Sequence, residues 1–379
     1  MYLSREFTTI YILPRQKGQT IRYIPENVKI ADDLIIDSFR IYKQRISLIL
    51  SACLGIVTEA FQSRNGYRYF FNFKHFLYTR IEAGLLSLKI YKWVLANDIN
   101  QAKVYSYWSD TSVLECCFLK EKGIFQNLVC RAHGFDIYDN RNTGGIIPFR
   151  SRMYKNVDEI YCISNHGKNY LINKLPRKWH YKIHVAYLGV KSPKELMKFD
   201  NETIPIIVSC ARMEIFKRIS LIARILNLIK TPVHWIHFGD GPEFETVSKM
   251  TDQFPAHIKV TMMGQRKHSE ILEFYSSHKI SLFISLSLSE GLPVSMMEAI
   301  SYGIPILSTN INGTPEIVTA KTGILVSISE PIENIVEKIH YVLQTNPFDS
   351  EEIKRFYFEN FNADINYSKF AKEIAECTL

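Results

Sequence analysis

Two glutamates, Glu290 and Glu298, lie around a turn whose residue types suit a phosphate and a sugar. Gly291 and Leu292 follow Glu290, and their amides at a helix N-terminus would form a binding site for a phosphate. An ionised carboxylate only accepts hydrogen bonds, so Glu298 suits the paired hydroxyls of a ribose and Glu290 suits sugar hydroxyls. On spacing alone, one capping and one solvated glutamate explain the pattern equally well.

The elements around this turn predict a parallel sheet. Apolar residues alternate with serines from Leu282 to Ser289, which predicts a strand with one face more buried than the other. Pro293 is expected at the first position of a helix over Val294–Tyr302, and Gly303 is expected to end that helix in a left-handed conformation. A second apolar strand follows at 304–308, so the order is strand, turn, helix, strand.

Two basic residues follow another apolar strand earlier in the chain. Ile204–Cys210 is a continuous apolar run, which predicts a strand buried on both faces. Arg212 follows this strand, and Lys217 comes five residues later. A planar guanidinium and a point cation are both good partners for a phosphate. The alternative is two exposed basic residues on a loop.

A histidine and an aspartate follow a strand in the first half of the chain. The strand Asn127–Ala132 delivers His133 and Asp136 at its carboxyl end, where open α/β sheets bind ligands. A single histidine after a strand is more often a structural hydrogen-bonding residue, so its role at a site needs further support.

Length and composition indicate a two-domain globular protein of 379 residues, 46% of them hydrophobic. The longest apolar run, Ile46–Val57, is too short to cross a bilayer, and Met1–Phe7 lacks the apolar region of a signal peptide. Seven cysteines without a C-x-x-C pair predict buried thiols of a reducing compartment and no zinc site. We therefore expect a cytoplasmic protein.

The net charge of +8 favours an acidic partner. No nucleic-acid-binding pattern accompanies the charge, so a nucleoside diphosphate, a pyrophosphate-linked lipid or an anionic membrane surface is the better expectation. Residues 61–95 are dense in aromatic and basic side chains. A pair of helices packed on the N-terminal sheet explains this stretch better than contact with a membrane, although peripheral contact with the inner face of the cell membrane stays open.

The run from Glu290 to Val318 carries a family resemblance. It contains an E-G-L-P turn, the spacing E-x7-E, E-A-I-x-x-G-I-P-I and N-G-T-P-E-I-V. These motifs resemble those of the retaining nucleotide-sugar glycosyltransferases of the GT-B fold, family 4, and the resemblance covers most of the chain. It implies an α/β protein with two facing Rossmann-like domains and a C-terminal helix that crosses back to the first domain. The expected bounds are 1–190 for the first domain, 191–203 for a linker, 204–349 for the nucleotide-sugar domain and 350–379 for the C-terminal helical segment.

The resemblance also implies roles for single residues. Arg212 and Lys217 match the pair that holds the donor diphosphate, and His133 matches a histidine that faces the donor sugar. Gly264 and Gln265 lie near the place where related enzymes bind the base. The family commonly has glycine at the positions of Ala211 and Arg218, so the loop conformation is the part that departs from the pattern.

The function implied by the resemblance is retaining transfer of a hexose from a UDP- or GDP-sugar, without cofactor or metal ion. The acceptor would be a glycan or a lipid-linked oligosaccharide in surface polysaccharide biosynthesis. Two other readings stay open: a nucleotide-sugar epimerase of the same architecture, and a catalytically degenerate nucleotide-binding subunit.

The N-terminus departs from the family in one further respect. Family members open with a buried strand, a glycine-rich loop and a helix, whereas Met1–Phe7 already resembles the end of that helix. We therefore expect that the first strand is missing, with roughly 25–30 residues absent upstream at average element lengths.

Overall fold

The structure is a computed structural model that describes residues 2–14, 23–31, 34, 53–58, 60–61, 71–99, 102–193 and 204–377. The chain divides into two compact units. The first comprises Met1–Ala186 together with Ser368–Leu379, and the second comprises Tyr187–Tyr367.

The first unit contains a four-stranded parallel sheet and a separate parallel pair of strands. The pair is β1 (Ile10–Ile12) and β2 (Val28–Ile30). The sheet has the order β3-β4-β5-β6, with β3 at Lys103–Ser106, β4 at Asn127–Ala132, β5 at Glu159–Cys162 and β6 at Ile183–Val185. Every adjacent pair is parallel, so the carboxyl ends of β3 and β4 lie at the same edge.

Four helices with described ends cover this sheet: α1 (Phe73–Ala96), α2 (Thr111–Lys120), α3 (Arg150–Asn156) and α4 (Asn165–Lys174). Asp110 caps α2 through Ser112 N, and Ser164 caps α4 through Gly167 N. Side-chain acceptors satisfy amides that the first turn of a helix leaves without partners, which fixes where both helices begin.

The second unit is built on a six-stranded parallel sheet of order β12-β11-β10-β7-β8-β9. The strands are β7 (Ile206–Cys210), β8 (Val233–Phe238), β9 (Ile258–Met262), β10 (Ile280–Ser285), β11 (Ile306–Thr309) and β12 (Gly323–Val326). The strand predicted at Ile204–Cys210 begins two residues later, at Ile206, and Ile204 is 40% exposed. Its buried character is confirmed, because Ile206, Ile207 and Val208 are all buried. A parallel sheet covered on both faces requires such strands.

The helices of the second unit are α5 (Ile219–Leu226), α6 (Phe244–Thr251), α7 (His268–Ser277), α8 (Val294–Ser301), α9 (Ile332–Thr345) and α10 (Ser350–Phe361). One continuous apolar core joins α5 and α9 to the sheet. These alternating strands and helices confirm the predicted α/β fold class with Rossmann-like domains.

The C-terminal segment forms two helices rather than one. Asn362 separates α10 from α11 (Ala363–Glu376), and its side-chain oxygen accepts hydrogen bonds from the amides of Asp364 and Ile365. The later part of α11 belongs to the first unit, where the Phe370 ring meets that of Tyr161 with centroids 5.0 Å apart.

Two local predictions around Glu290 were wrong. The strand at Leu282 was predicted to have one face more buried than the other. Leu282 and Phe283 are both fully buried, because β10 is an interior strand that is covered on both faces. Pro293 is the N-cap of α8 rather than its first residue, since its backbone is extended with ψ near 116°. Gly303 has the positive φ of 75° that was predicted for the residue that ends the helix.

The aromatic and basic stretch is described from residue 71 onward, where it forms the single helix α1. Phe76, Ile90 and Val94 are buried in the core, whereas Tyr78 is 43% exposed. Residues 62–70 lie outside the described part of the chain, as does most of the helix expected at 34–54. Among the described helices, none has both the length and the apolar character needed to cross a bilayer.

Candidate functional site

The loop after β7 brings a lysine to Glu290. Residues Ile215–Lys217 form a short 3-10 helix, and Lys217 Nζ lies 2.6 Å from Glu290 Oε1 in an ion pair. The amide of Leu288 donates to the carbonyl oxygen of Phe216 at 2.7 Å, which joins this loop to the segment after β10. Two residues that are 73 positions apart therefore meet at the carboxyl ends of the adjacent strands β7 and β10.

The turn at Glu290 is held by an asparagine from the loop after β11. Asn312 Nδ2 donates to the carbonyl oxygen of Glu290 at 2.8 Å, and Asn312 itself has a φ of 43°. Within the described part of the chain, the amides of Gly291 and Leu292 donate to no other residue. These amides precede α8, so they remain available to an anion at its N-terminus.

Arg212 lies on the same loop, with a side chain that is 72% exposed. Its Nε lies 2.8 Å from Glu214 Oε1 in an ion pair at the surface. Such exposed pairs are weak, so the guanidinium is free to exchange this partner for another anion.

The residue after Lys217 has a backbone conformation that is unusual for a residue other than glycine. Arg218 adopts φ 56° and ψ 39°, the left-handed conformation that glycine adopts without strain. Its Nη1 donates to the carbonyl oxygen of Ile328 at 3.3 Å. Arg218 thus completes the loop in a backbone conformation that is strained for a residue other than glycine.

A glycine-rich turn after β8 packs against the loop that carries Arg212. The amide of Met213 donates to the carbonyl oxygen of Asp240 at 2.9 Å. A Cβ atom on Gly239, whose φ is 142°, would lie only 1.9 Å from the carbonyl oxygen of Ala211. The turn therefore requires glycine because the Arg212 loop passes directly against its backbone.

Glu298 lies on α8 in a nearly buried position. Its Oε1 is 2.6 Å from His268 Nε2, and because an ionised carboxylate only accepts hydrogen bonds, His268 is the donor. Burial raises the pKa of the Glu298 carboxyl, and the hydrogen bond from His268 opposes that effect. Among the described residues, His268 is the only hydrogen-bond partner of this carboxylate, so Oε2 is available to a ligand.

Gly264 and Gln265 lie just after β9. Gly264 has a φ of 64°, and its carbonyl oxygen accepts a hydrogen bond from the amide of Gly239 at 2.9 Å. Gln265 is exposed. The neighbouring His268 begins α7 and was not singled out from the sequence, because no motif connects it to Glu298 thirty residues later.

His133 and Asp136 belong to the first unit. One oxygen of Asp136 accepts from the amide of His133 at 2.7 Å, and the other accepts from the amide of Ser109 at 3.0 Å. The His133 ring packs against that of Trp108, with centroids 4.1 Å apart. His133 Nδ1 lies 3.5 Å from Asp136 Oδ2, but neither buried ring nitrogen makes a hydrogen bond within the described residues, which is unusual for buried polar atoms.

The described residues contain no group of three or more histidine, cysteine or acidic side chains placed to hold a metal ion. Four of the seven cysteines, Cys116, Cys117, Cys130 and Cys162, are buried, and all seven are free thiols.

Comparisons with known proteins find a family model that matches residues of the second unit and solved structures that share the fold. A family model described as "Glycosyl transferases group 1" matches residues 193–357. The O-antigen biosynthesis glycosyltransferase WbnH of Escherichia coli is 27% identical over 223 residues, which cover 54% of this chain and 57% of WbnH. The chain thus aligns with little more than half the length of that relative.

Two solved structures have the same architecture. The lipopolysaccharide outer core galactosyltransferase WaaB has a TM-score of 0.63 and 17% identity, with 79% of this chain and 80% of WaaB covered. HepE of Anabaena in complex with UDP has a TM-score of 0.61 and 14% identity, with 76% of this chain and 82% of HepE covered. At these identities the likeness concerns the fold. Residues 193–357 are therefore similar to the glycosyl transferases group 1 domain, and the chain has the GT-B fold of two Rossmann-like domains.

Proposed function

We propose that this protein is a retaining glycosyltransferase that moves a sugar from a nucleoside-diphosphate sugar to a glycan or lipid-linked glycan. The observation that carries the proposal is the ion pair of Lys217 with Glu290 beside the amides that precede α8. A cation, an anion-binding helix N-terminus and a sugar-hydroxyl acceptor occur together there, as transfer from a sugar diphosphate requires.

The leaving diphosphate is the group that most needs stabilisation. When the bond between the anomeric carbon and the phosphate oxygen breaks, negative charge grows on the diphosphate. Lys217 Nζ and the amides of Gly291 and Leu292 are the donors we assign to it, and Arg212 would exchange Glu214 for a phosphate oxygen. These groups supply positive charge where a bound metal ion would otherwise act, so we propose a reaction that needs neither metal nor cofactor.

Glu298 is the residue we assign to the ribose of the donor. Its Oε1 is already held by His268, which leaves Oε2 to accept hydrogen bonds from ribose hydroxyls. A buried carboxylate held in one orientation is preorganised for this task. Gly264 and Gln265 remain the proposed neighbours of the base.

The chemistry we propose proceeds on one face of the sugar. The bond to the diphosphate breaks, the acceptor oxygen bonds to the anomeric carbon from the same side, and the acceptor proton passes to the departing diphosphate. Glu290 accepts hydrogen bonds from the sugar hydroxyls. His133 and Asp136 remain proposed site residues, and Asp136 accepts a hydrogen bond from the backbone amide of His133.

The substrate classes follow from the relatives. HepE was solved with UDP, which supports a UDP- or GDP-sugar as donor. WbnH is named for O-antigen biosynthesis, which supports a surface polysaccharide intermediate as acceptor. We place the reaction in the cytoplasm, where the net charge of +8 favours peripheral contact with the anionic inner face of the cell membrane.

Product analysis of a donor panel tests this proposal. The full chain is incubated with UDP- and GDP-sugars and a mixture of candidate acceptors, and proton NMR follows the anomeric signals. We expect one donor to be consumed with a new glycosidic signal of the same anomeric configuration. An inverted configuration would refute retention, and a changed sugar still attached to the nucleotide would indicate an epimerase. A nucleotide that binds with no donor turnover would indicate a degenerate subunit.

A further inference from the structure

Three buried polar side chains form a network on strands β7 and β8, next to the loop that carries Arg212. The indole Nε1 of Trp235 donates to Ser209 Oγ at 2.9 Å, and Ser209 Oγ lies 2.8 Å from Nδ1 of His237. Trp235 and His237 are fully buried, and Ser209 is nearly so. Burial of polar groups costs free energy that only hydrogen bonds offset, so the partner of each polar atom in this network matters.

These hydrogen bonds determine which nitrogen of the His237 ring carries the proton. An indole nitrogen only donates, so Ser209 Oγ accepts from Trp235. Ser209 makes no further hydrogen bond among the described residues, so its own hydroxyl proton is satisfied only when it is donated to His237 Nδ1. Nδ1 is then the acceptor, and Nε2 carries the proton of the neutral ring.

The Nε2 atom of His237 faces the backbone at the start of the Arg212 loop. A Cβ atom on Gly239 would lie 3.1 Å from this nitrogen and 1.9 Å from the carbonyl oxygen of Ala211, so the nitrogen and the oxygen border the same small space. Nε2 is buried and meets no acceptor at hydrogen-bonding geometry among the described residues. Burial lowers the pKa of His237 and the backbone at Ala211 opposes that effect, so the two groups lie within electrostatic reach. Hydrogen bonds at active sites often reach their final length only in the complex with substrate.

We propose that His237 positions Arg212 for the donor diphosphate by donating its Nε2–H to the carbonyl oxygen of Ala211. The Ala211 carbonyl and the Arg212 amide belong to one planar peptide group, so a hydrogen bond to the first fixes the direction in which the arginine leaves the backbone. The bond closes when the Arg212 guanidinium exchanges Glu214 for a phosphate oxygen. The inference rests on the proposed function, because it concerns the arginine that is assigned there to the diphosphate.

Two replacements of His237 separate its two nitrogens. The amide of asparagine lies roughly where Nδ1 lies and keeps the bond to Ser209, whereas the longer glutamine places its amide near Nε2 and can donate to Ala211. His237→Asn should lower kcat about fivefold, as expected for one lost hydrogen bond, with a smaller change in KM for the donor. His237→Gln should keep most of the wild-type rate. The assay measures the nucleoside diphosphate released from the donor that the wild type uses.

A double-mutant cycle tests whether His237 acts through Arg212. In an Arg212→Ala background, His237→Asn should have no further effect on kcat. His234 lies on the same strand and bonds Thr261 Oγ1 at 2.8 Å, so His234→Asn is the matched control and should keep the wild-type rate. Equal rates of His237→Asn and His237→Gln, or an undiminished effect of His237→Asn in the Arg212→Ala background, would overturn the inference.

Nitrogen NMR of isotope-labelled histidine tests the inference on the wild type, in case the His237 variants unfold. The His237 signals, assigned from their absence in His237→Gln or His237→Asn, should show a protonated Nε2 and an unprotonated Nδ1. Saturation with UDP or GDP should shift the Nε2 signal in the direction of a stronger hydrogen bond. A protonated Nδ1, or an Nε2 signal that does not move when the nucleotide binds, would overturn the inference. A protein that binds neither nucleotide and turns over no donor would instead refute the proposed function.

Discussion

Replacement of Glu298 by glutamine separates the contribution of this residue to nucleotide binding from its contribution to folding. The carboxylate is nearly buried, and burial raises the pKa of Glu298 above its usual value. The unfolded chain therefore releases this proton at a lower pH than the folded protein does. Stability from this group is greatest below the usual pKa of a glutamate and is lost as the pH rises through the higher pKa of the folded state.

At neutral pH, Glu298→Gln should therefore weaken nucleotide binding without destabilising the fold. A hydrogen bond to a charged group contributes about 1.5–3 kcal/mol, so the Kd for UDP should rise by about 10- to 150-fold. The amide of glutamine keeps the shape of the side chain and an acceptor for His268. Because the buried charge is removed, the free energy of unfolding at neutral pH should stay the same or increase.

Calorimetric titration with UDP and GDP measures the first effect, and urea unfolding measures the second. Glu359→Gln is the matched control, since Glu359 is an exposed glutamate of the same unit. The assignment of Glu298 to the ribose would be refuted by an unchanged Kd for the nucleotide that the wild type binds. A large loss of stability in Glu298→Gln would show that the charged form is needed for folding, contrary to the argument from burial.

Three further predictions concern single residues of the second unit. Arg218→Gly should stabilise the protein by about 1 kcal/mol and raise its Tm by about 2–4 °C, because glycine adopts the left-handed backbone conformation without strain. A lower Tm in differential scanning calorimetry would contradict this. Asn312→Gly keeps the backbone conformation but removes the hydrogen bond to the Glu290 carbonyl, so kcat should fall about fivefold for a loss of about 1 kcal/mol, with an unchanged Tm. An unchanged kcat would show that Asn312 does not position the turn. Burial lowers the pKa of His237 to about 4 in the folded protein. Below about pH 6.5 the unfolded chain therefore binds a proton at this histidine, whereas the folded protein stays unprotonated there until about pH 4. His237 should therefore contribute about 2 kcal/mol to the loss of unfolding free energy between about pH 7 and about pH 5, so His237→Gln should lose about 2 kcal/mol less than the wild type over this range. An equal loss in the two proteins in urea unfolding would refute this cause.

The sequence predicted the elements of the second unit well because local patterns determine them. Glu298 lies on the helix expected for it, and Gly303 has the positive φ expected at the end of that helix. The apolar run at 206–210 forms the interior strand that its composition indicated. Periodicity, glycine and proline carry this information within a few residues of each element.

The contacts that complete the site could not be read from local patterns. His268 reaches Glu298, and Asn312 reaches the turn at Glu290, only because neighbouring strands bring distant loops to one edge of the sheet. The contact between the Trp108 and Phe135 rings likewise depends on the pairing of β3 with β4. Strand order is a property of the whole sheet, so single motifs do not reveal these neighbours.

Steady-state turnover of Lys217→Ala tests the central claim most directly, because the claim assigns this lysine to the leaving diphosphate. The assay measures the nucleoside diphosphate released from the donor that the wild type uses. Since the charge that Lys217 meets grows in the transition state, kcat should fall by about 100-fold or more with a smaller change in KM for the donor. Lys249→Ala, at an exposed surface lysine, should keep the wild-type rate. A Lys217→Ala variant that releases diphosphate at the wild-type rate would contradict the account.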